Sequence, residues 1–330
     1  MKRFLLVLIS CLLVLCLPLG AQQTLLLVSQ KGASSVAFYT PEGKLLASVP
    51  VGTHPHELAL SPDGRYAYTT DNGTMQIEHA GEGGNTVSVI DLHQRKRTAV
   101  ISLGKYYRPH GIDINPVTGH LLVSTENPDQ LLVVDLEKKE VIRRYDTQGQ
   151  TPHIVAAGRE GKWAYVSNAR SGTVAAIELA SGEVKLIPAG SRPEGSVLSK
   201  DGKRLYVVNR DSDELTIIDT EKKTNIGTIK TSDGPVRVGL SPDGRYAIYG
   251  LINAKAVGFA DLEARKEIAT VDVGGPLVSM HTSPDGKWAF TAAQDDDTVY
   301  VISIADRKLH TKFKTAAGAG PDPARQITVP

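Results

Sequence analysis

Residues 195–230 read GSVLSKDGKRLYVVNRDSDELTIIDTEKKTNIGTIK and contain four short apolar runs separated by turn sequences. Gly195–Leu198 and Arg204–Val208 flank an Asp-Gly turn, and Glu214–Asp219 and Asn225–Lys230 follow after further polar turns. Asp-Gly pairs favour tight hairpins, and β-branched or apolar runs of this length are typical of strands. The stretch therefore predicts four consecutive antiparallel strands.

The same unit recurs along the chain. The turn Ser-Pro-Asp-Gly occurs at 61–64, 241–244 and 283–286, with degenerate copies between them. The glycines that close these turns are separated by 55, 42, 41, 42 and 42 residues, and they are Gly64, Gly119, Gly161, Gly202, Gly244 and Gly286. Four strands in a unit of 40–45 residues are typical of a propeller blade, and no helical periodicity interrupts them. Six complete blades are therefore predicted.

The two ends of the chain supply a seventh blade. Thr24–Val28, Ser35–Tyr39 and Lys44–Val49 give three strands without an inner one, and the tail Pro323–Pro330 resembles the opening of a unit. Pairing the two ends would close the ring and leave no open edge strand. We therefore predict an all-β fold, a seven-bladed β-propeller of four-stranded antiparallel blades, as a single domain over residues 22–330.

Several blocks resemble the YVTN-repeat β-propeller family. They include Tyr165-Val166-Ser167-Asn168, Tyr206-Val207-Val208-Asn209 and the LTIID sequence at 215–219. The resemblance covers roughly residues 24–330. It implies a fold similar to seven-bladed lactonases, surface-layer proteins and the propeller subunits of periplasmic dehydrogenases, which are often exported. It does not indicate one particular function.

The amino terminus predicts an export signal. Lys2 and Arg3 precede the apolar run Phe4–Leu19, and Leu19-Gly20-Ala21 forms a small-residue cleavage site. We therefore expect a signal peptide at residues 1–21 and a periplasmic or secreted mature chain without a membrane span. Both cysteines lie in this segment, so the mature chain would have no disulfide and no thiolate nucleophile.

The charge balance argues against one class of partner. The chain has 37 Lys and Arg residues against 36 Asp and Glu residues, a formal net charge of +1. Nucleic-acid binding draws most of its affinity from clustered basic residues. We therefore expect no nucleic-acid partner, and a small molecule or a protein remains as the ligand.

The residues that break the repeat identify a candidate site. In each unit a proline opens the first strand, and the following position carries His56, His110, His153 and Glu194 in four consecutive blades. Propeller topology puts these positions in a ring at the channel mouth on the top face. The candidate ligand-binding residues are His54, His56, His79, Tyr107, Arg108, His110, His153, Arg192 and Glu194. Arg237 and Arg325 are expected near the same mouth.

Blade 1 carries a 13-residue insertion within residues 71–85, DNGTMQIEHAGEGGN. It falls between the second and third strands, which places it on the top face beside the histidines. Its glycines suggest a mobile lid, and it contributes Glu78 and His79.

Two functions fit this pattern. The first is an exported binding or scaffold propeller of the cell envelope, which uses the top-face channel mouth for a small, anionic ligand or a protein partner. The second is a metal-assisted hydrolase or lyase similar to lactonases. There a divalent metal, the one candidate cofactor, would be held by His56, His110 and His153, with Glu78 or Glu194 as general base. A histidine at these positions can also simply bond a loop carbonyl, so a purely structural role stays open.

Overall fold

The computed structural model describes residues 22–77 and 81–329, which form seven four-stranded antiparallel sheets. Inner strands of neighbouring sheets contact one another around the channel. The predicted seven-bladed β-propeller is therefore confirmed. The expected signal peptide at residues 1–21 lies outside the described residues. No helix within the described residues is long and apolar enough to cross a membrane.

The strands follow one another from the channel outwards in each blade. The composite blade 7 uses β1 (Gln23–Gln30), β2 (Ser35–Tyr39) and β3 (Leu45–Pro50). Blade 1 has β4 (Pro55–Leu60), β5 (Tyr66–Asp71), β6 (Thr86–Asp91) and β7 (Lys96–Ser102). Blade 2 has β8 (Tyr107–Ile114), β9 (Leu121–Asn127), β10 (Asp129–Asp135) and β11 (Glu140–Asp146). Blade 3 has β12 (Pro152–Ala157), β13 (Trp163–Asn168), β14 (Thr173–Glu178) and β15 (Val184–Pro188).

The remaining blades repeat the pattern. Blade 4 has β16 (Pro193–Leu198), β17 (Arg204–Asn209), β18 (Glu214–Asp219) and β19 (Thr224–Lys230). Blade 5 has β20 (Pro235–Leu240), β21 (Tyr246–Leu251), β22 (Ala256–Asp261) and β23 (Lys266–Asp272). Blade 6 has β24 (His281–Thr282), β25 (Trp288–Ala293), β26 (Thr298–Ser303) and β27 (Lys308–Lys314). The last strand, β28 (Pro321–Val329), is the inner strand of blade 7.

Both ends of the chain close the ring in blade 7. β28 pairs antiparallel with β1, from Gln23 opposite Val329 to Gln30 opposite Pro321. The Lys31 ammonium then forms an ion pair with Asp322, and both side chains are almost fully buried. This closure pairs the backbone N–H and C=O groups on the inner edge of β1, as the sequence predicts.

The hydrophobic core lies between blades. The two middle strands of each blade are buried along almost their whole length, because neighbouring blades pack against both of their faces. Outer strands such as β11 are mostly exposed. One cluster joins Leu25 and Phe38 of blade 7 to Leu58 and Ile90 of blade 1. Burial of each such side chain contributes about 1.5–3 kcal/mol. The core therefore ties every blade to the next and fixes the channel.

The repeated turns stabilise each blade locally. In blade 1 the Ser61 hydroxyl donates to Asp63 and accepts from the Tyr66 N–H, while Gly64 has a φ of +70°. The same Ser–Asp arrangement recurs in blades 4, 5 and 6. Glycine adopts positive φ at little cost, which explains why it closes these turns.

Candidate functional site

The inner strands are irregular at the mouth of the channel. The pairing register shifts between Pro55 and Leu58, between Pro109 and Ile112, and between Pro152 and Val155. Such bulges redirect side chains at the end of a strand. Here they turn the residue after each opening proline into the mouth.

A glycine lets two of these strands approach closely. Gly111 follows His110, and a Cβ atom there would lie 2.2 Å from the His153 carbonyl oxygen. The glycine of the Pro-His-Gly sequence in blade 2 therefore permits a close backbone contact with blade 3, which any larger residue would block. Gly195 of blade 4 has the same role, because its Cβ would lie 2.6 Å from the Val236 carbonyl oxygen.

His56, His110 and His153 form one cluster, and each is only 2% exposed. The ring centroids of His56 and His110 lie 4.6 Å apart in an edge-on arrangement with an interplanar angle of 71°. The His110 and His153 rings are stacked, 3.8 Å apart and 28° from parallel. Three imidazoles from consecutive blades thus pack directly on one another and line a mouth cavity of about 260 Å³.

Hydrogen bonds define the tautomers of two rings. His56 Nε2 donates to the Thr74 carbonyl (2.8 Å), and His153 Nδ1 donates to the Glu194 carbonyl (2.9 Å), because a carbonyl oxygen can only accept. A neutral imidazole bonded in this way keeps a lone pair on its other nitrogen. Among the described residues, nothing bonds to the buried Nδ1 atoms of His56 and His110.

Burial keeps these three rings neutral. It is the largest effect lowering the pKa of each ring well below the usual value, and nearby cations such as Lys31 and Arg237 lower it further. Neutral imidazoles with unpartnered nitrogens can accept hydrogen bonds from a ligand. The cluster therefore forms a polar floor of the cavity that carries no charge.

Arginines concentrate around one carboxylate on the wall of the cavity. The Glu194 carboxylate lies 2.5 Å from Arg192 Nε, 3.4 Å from Arg210 Nη1 and 3.9 Å from Arg237 Nη1. Arg237 is held chiefly by Glu57, whose Oε1 accepts from its Nε (3.0 Å) and Nη2 (2.9 Å). Three guanidinium groups and two carboxylates thus lie together on this wall, and Asp295 adds a further carboxylate to the cavity lining.

The insertion in blade 1 reaches the same cavity. Met75, Gln76 and Ile77 line it, and Arg108 Nη2 donates to the Ile77 carbonyl (2.8 Å). The Thr74 carbonyl is the partner of His56 described above. Glu78 and His79 lie outside the described residues, so their assignment stays a prediction.

Three predicted residues, His54, Tyr107 and Arg108, lie beside the cavity, whereas Arg192 and Glu194 lie on its wall. The His54 ring bonds the Lys31 carbonyl (2.9 Å), Tyr107 begins β8 opposite Asn127, and Arg108 pairs with Glu126 (2.9 Å). The Glu194 carboxylate engages arginines, whereas its backbone carbonyl holds His153. Arg325 was expected near this mouth, but it lines a different cavity at the other end of the channel.

The stacking of the rings bears on the metal hypothesis. Zinc binds imidazole nitrogens at about 2.0–2.1 Å along lone pairs that lie in the ring planes. Nearly parallel stacked rings do not direct their lone pairs at one point. No group of three or more His, Cys, Asp or Glu side chains in residues 22–77 and 81–329 is arranged as a metal site. The metal role of His56, His110 and His153 therefore stays a prediction.

Some residues of the cavity were not found from the sequence. Lys31 and Asp322 come from the closing blade, and Arg210 directly follows the repeat asparagine of blade 4. Arg210 differs from the residues after the repeat positions in blades 1 and 5, which are Asn72 and Ile252. Because this position varies from blade to blade, the repeat gives no signal that distinguishes Arg210.

One buried carboxyl beside the site predicts a pH dependence. Burial raises the pKa of Asp71 to about 6, although hydrogen bonds from Thr86, Ser88 and Gly52 oppose the shift. Blade 4 has Asn209 at this position, which accepts from the Gly190 N–H and donates to Thr216. A neutral amide therefore suits the same pocket.

We expect Asp71→Asn to become more stable relative to the unmodified protein as pH rises from 4 to 7. The folded pKa lies above the unfolded one, so the carboxyl favours folding while protonated and loses that contribution as pH rises through about 6. The relative gain should be about 2–3 kcal/mol, because one pKa unit corresponds to about 1.4 kcal/mol. Urea unfolding across this pH range measures it.

Asp201→Asn is the matched control. The Ser199 hydroxyl and the Lys203 N–H lower the pKa of Asp201 below 3.8, so its contribution changes mainly below about pH 4, and Asp201→Asn should leave relative stability nearly constant from pH 4 to 7. A flat difference between Asp71→Asn and the unmodified protein would contradict the pKa of about 6.

Comparison with known proteins gives one family-model match and several similar structures. The model of the Cytochrome D1 heme domain family matches residues 201–325. No curated protein matches the chain significantly. A protein of unknown function from Desulfotomaculum acetoxidans DSM 771 has a TM-score of 0.77 at 15% identity, covering 92% of this chain and 98% of that one.

Two further structures are similar to the ring. Kuenenia stuttgartiensis hydrazine synthase has a TM-score of 0.64 at 20% identity, and 76% of each chain is covered. The dihydro-heme d1 dehydrogenase NirN in complex with DHE has a TM-score of 0.65 at 18% identity, covering 89% of this chain and 64% of that one. These similarities support the propeller fold. They do not specifically support the YVTN-repeat family.

Proposed function

We propose that the chain is an exported, YVTN-like binding propeller of the cell envelope that holds a small hydroxycarboxylic acid in its mouth cavity. The observation that carries the proposal is the cluster of three buried neutral imidazoles beneath an arginine-rich wall. A cavity with few polar groups of defined direction is typical of small-molecule sites.

The arrangement supplies two complementary kinds of contact. His56 Nδ1 has no partner among the described residues and almost no accessible surface, so its lone pair would accept a hydrogen bond from a ligand hydroxyl once the side chains that cover it move aside. Arg192 and Arg210 would bind a carboxylate, since guanidinium groups match its geometry. The chain thus binds and orients a ligand that carries both groups.

A haem of the d1 type is the ligand that the matching family model names, and the mouth does not fit it. The cavity of about 260 Å³ has room for a small acid, but it falls below the roughly 300–1,000 Å³ of sites for drug-sized ligands, and a haem is at least as large as those. The matched residues 201–325 also exclude the entire histidine cluster. The proposal therefore uses no haem.

Calorimetry with malate and succinate tests the proposal, since the two acids differ by one hydroxyl group. We expect malate to bind at least about tenfold more tightly, because the hydroxyl satisfies a buried acceptor worth about 1–3 kcal/mol. His56→Phe should remove this preference, whereas the exposed substitution His93→Phe should keep it. Added EDTA should change neither affinity.

Each alternative result has a clear meaning. Equal affinities for malate and succinate, or no binding of either, would overturn the proposed site. Malate binding that EDTA abolishes would instead support a metal at the mouth, as the hydrolase or lyase hypothesis requires.

A further inference from the structure

A second and larger cavity of about 710 Å³ lies at the other end of the channel. It is lined by the far ends of the inner strands and by the turns that follow them, including Leu60, Leu198 and Pro242. Arg237 lines both cavities, so its ion pair with Glu57 lies between them. We call this space the lower cavity.

Four cationic and two acidic side chains line the lower cavity, and the two acids already have partners. Glu57 binds Arg237, and the Asp113 carboxylate accepts from the backbone N–H groups of Ile114 (2.8 Å) and Ala157 (2.9 Å). Burial raises the pKa of Asp113, whereas these two hydrogen bonds and the charges of Arg325 and Arg159 oppose the shift. The cavity therefore carries excess positive charge.

Arg325 on β28, Arg159 and Lys200 have no close counter-ion among the described residues, and of these three Arg325 is the one that is not exposed. Within residues 22–77 and 81–329, no carboxylate oxygen lies within 4 Å of the Arg325 guanidinium, and its hydrogen bond goes to His281 Nδ1 (3.4 Å). Burial lowers the pKa of both side chains, so His281 is neutral and carries its proton on Nε2. Both residues thus have N–H groups available for an anion.

About half of the wall is apolar, and the polar part also includes Ser196, Ser241, Thr282, Ser283 and Gln326. Leu58, Ile112, Val155, Val238 and Met280 line the cavity, and each is at most 7% exposed to solvent. The volume lies within the roughly 300–1,000 Å³ of typical small-molecule sites. A cavity with apolar side chains on part of its wall and a partly buried cation without a close counter-ion fits a molecule that has a hydrocarbon body and one anionic end.

We propose that the lower cavity binds an organic carboxylate with an apolar body, held at its charged end by Arg325 and His281. This site is separate from the mouth cavity and does not depend on the function proposed for it. Asp113 and Glu57 act on Arg325 only from beyond 4 Å, so the ligand carboxylate supplies a close counter-ion, and the hydrocarbon body replaces water against the apolar part of the wall.

Octanoate is the probe, and 1-octanol is the matched ligand without charge. We expect octanoate to bind the full protein with at least about tenfold higher affinity than 1-octanol, measured by calorimetry. Arg325→Gln should weaken octanoate binding at least about tenfold, and Arg325→Lys should restore part of it. Arg159→Gln, at the exposed rim, should have a much smaller effect.

Two further measurements distinguish binding in the lower cavity from a folding defect and from binding in the mouth cavity. Because Arg325 belongs to the closing strand, thermal unfolding must show that Arg325→Gln is folded, and Arg325→Lys serves as the second variant if it is not. Saturating malate should leave octanoate affinity unchanged. The proposal fails if octanoate does not bind, if 1-octanol binds equally well, or if neither Arg325 variant changes octanoate affinity.

Discussion

A chain that ends at Gly320 is expected to lose its cooperative folding transition, or to melt at least about 10 °C lower. Removal of β28 uncovers the inner edge of β1 and deletes Ile327 and Val329, which are 5% and 3% exposed. It also leaves the buried Lys31 without Asp322. Each lost apolar side chain costs about 1.5–3 kcal/mol, against a total stability of about 5–15 kcal/mol.

Point variants in the same strand provide the control. Ile327→Ala should cost about 2–5 kcal/mol, whereas Thr328→Ala, at an exposed neighbouring position, should change stability by no more than about 0.5 kcal/mol. Calorimetric melting compares them directly. A shortened chain that melts like the full one would show that β28 does not close the ring.

Glu57→Ala is expected to cost about 3–5 kcal/mol, because it leaves Arg237 charged and buried. Burial lowers the pKa of Arg237, but Glu57, Asp322 and Glu194 together outweigh that effect and keep the guanidinium protonated. The remaining contact with Glu194 is 3.9 Å long, too long to replace the lost pair. Urea unfolding at neutral pH measures the change.

The double variant Glu57→Gln/Arg237→Met distinguishes the energy of the ion pair from the energy of side-chain packing. Replacement of both charges by uncharged groups should cost less than Glu57→Ala alone, because no unpaired charge remains. If the losses of Glu57→Gln and of Arg237→Met alone add up to the loss of the double variant, the two side chains do not interact across the channel.

The repeat explains why so much of the fold could be predicted. Each blade forms its own hairpins, so turn glycines and alternating apolar runs define the strands locally. The predicted Glu214–Asp219 coincides with β18, and Ser35–Tyr39 coincides with β2. Blade 6 differs, since the ladder around β24 is limited to His281–Thr282. There the Ser279 hydroxyl, rather than the backbone, accepts from the Ala292 N–H.

The candidate site could be predicted only where it follows the repeat. The position after each opening proline identified His56, His110 and His153 because blade symmetry brings equivalent positions together at the mouth. Arg237 and Glu57 are 180 residues apart, and no local pattern indicates that they pair across the channel. The tautomers of the histidines depend on loop carbonyls such as that of Thr74, and the position of these carbonyls cannot be predicted from the sequence.

Arg325 shows the same limit. Its position two residues after Pro323 suggested the mouth, but β28 is nine residues long and carries Arg325 further down the channel. The length and register of the inner strand decide which end of the channel a side chain reaches. Neither quantity can be read from the turn pattern alone.

A crystal structure of the protein grown with malate tests the central claim most directly. We predict malate in the mouth cavity, with its hydroxyl within hydrogen-bond distance of His56 Nδ1 and a carboxylate on Arg192 or Arg210. A mouth that contains only water at a malate concentration well above the calorimetric Kd, or malate bound only elsewhere, would contradict it.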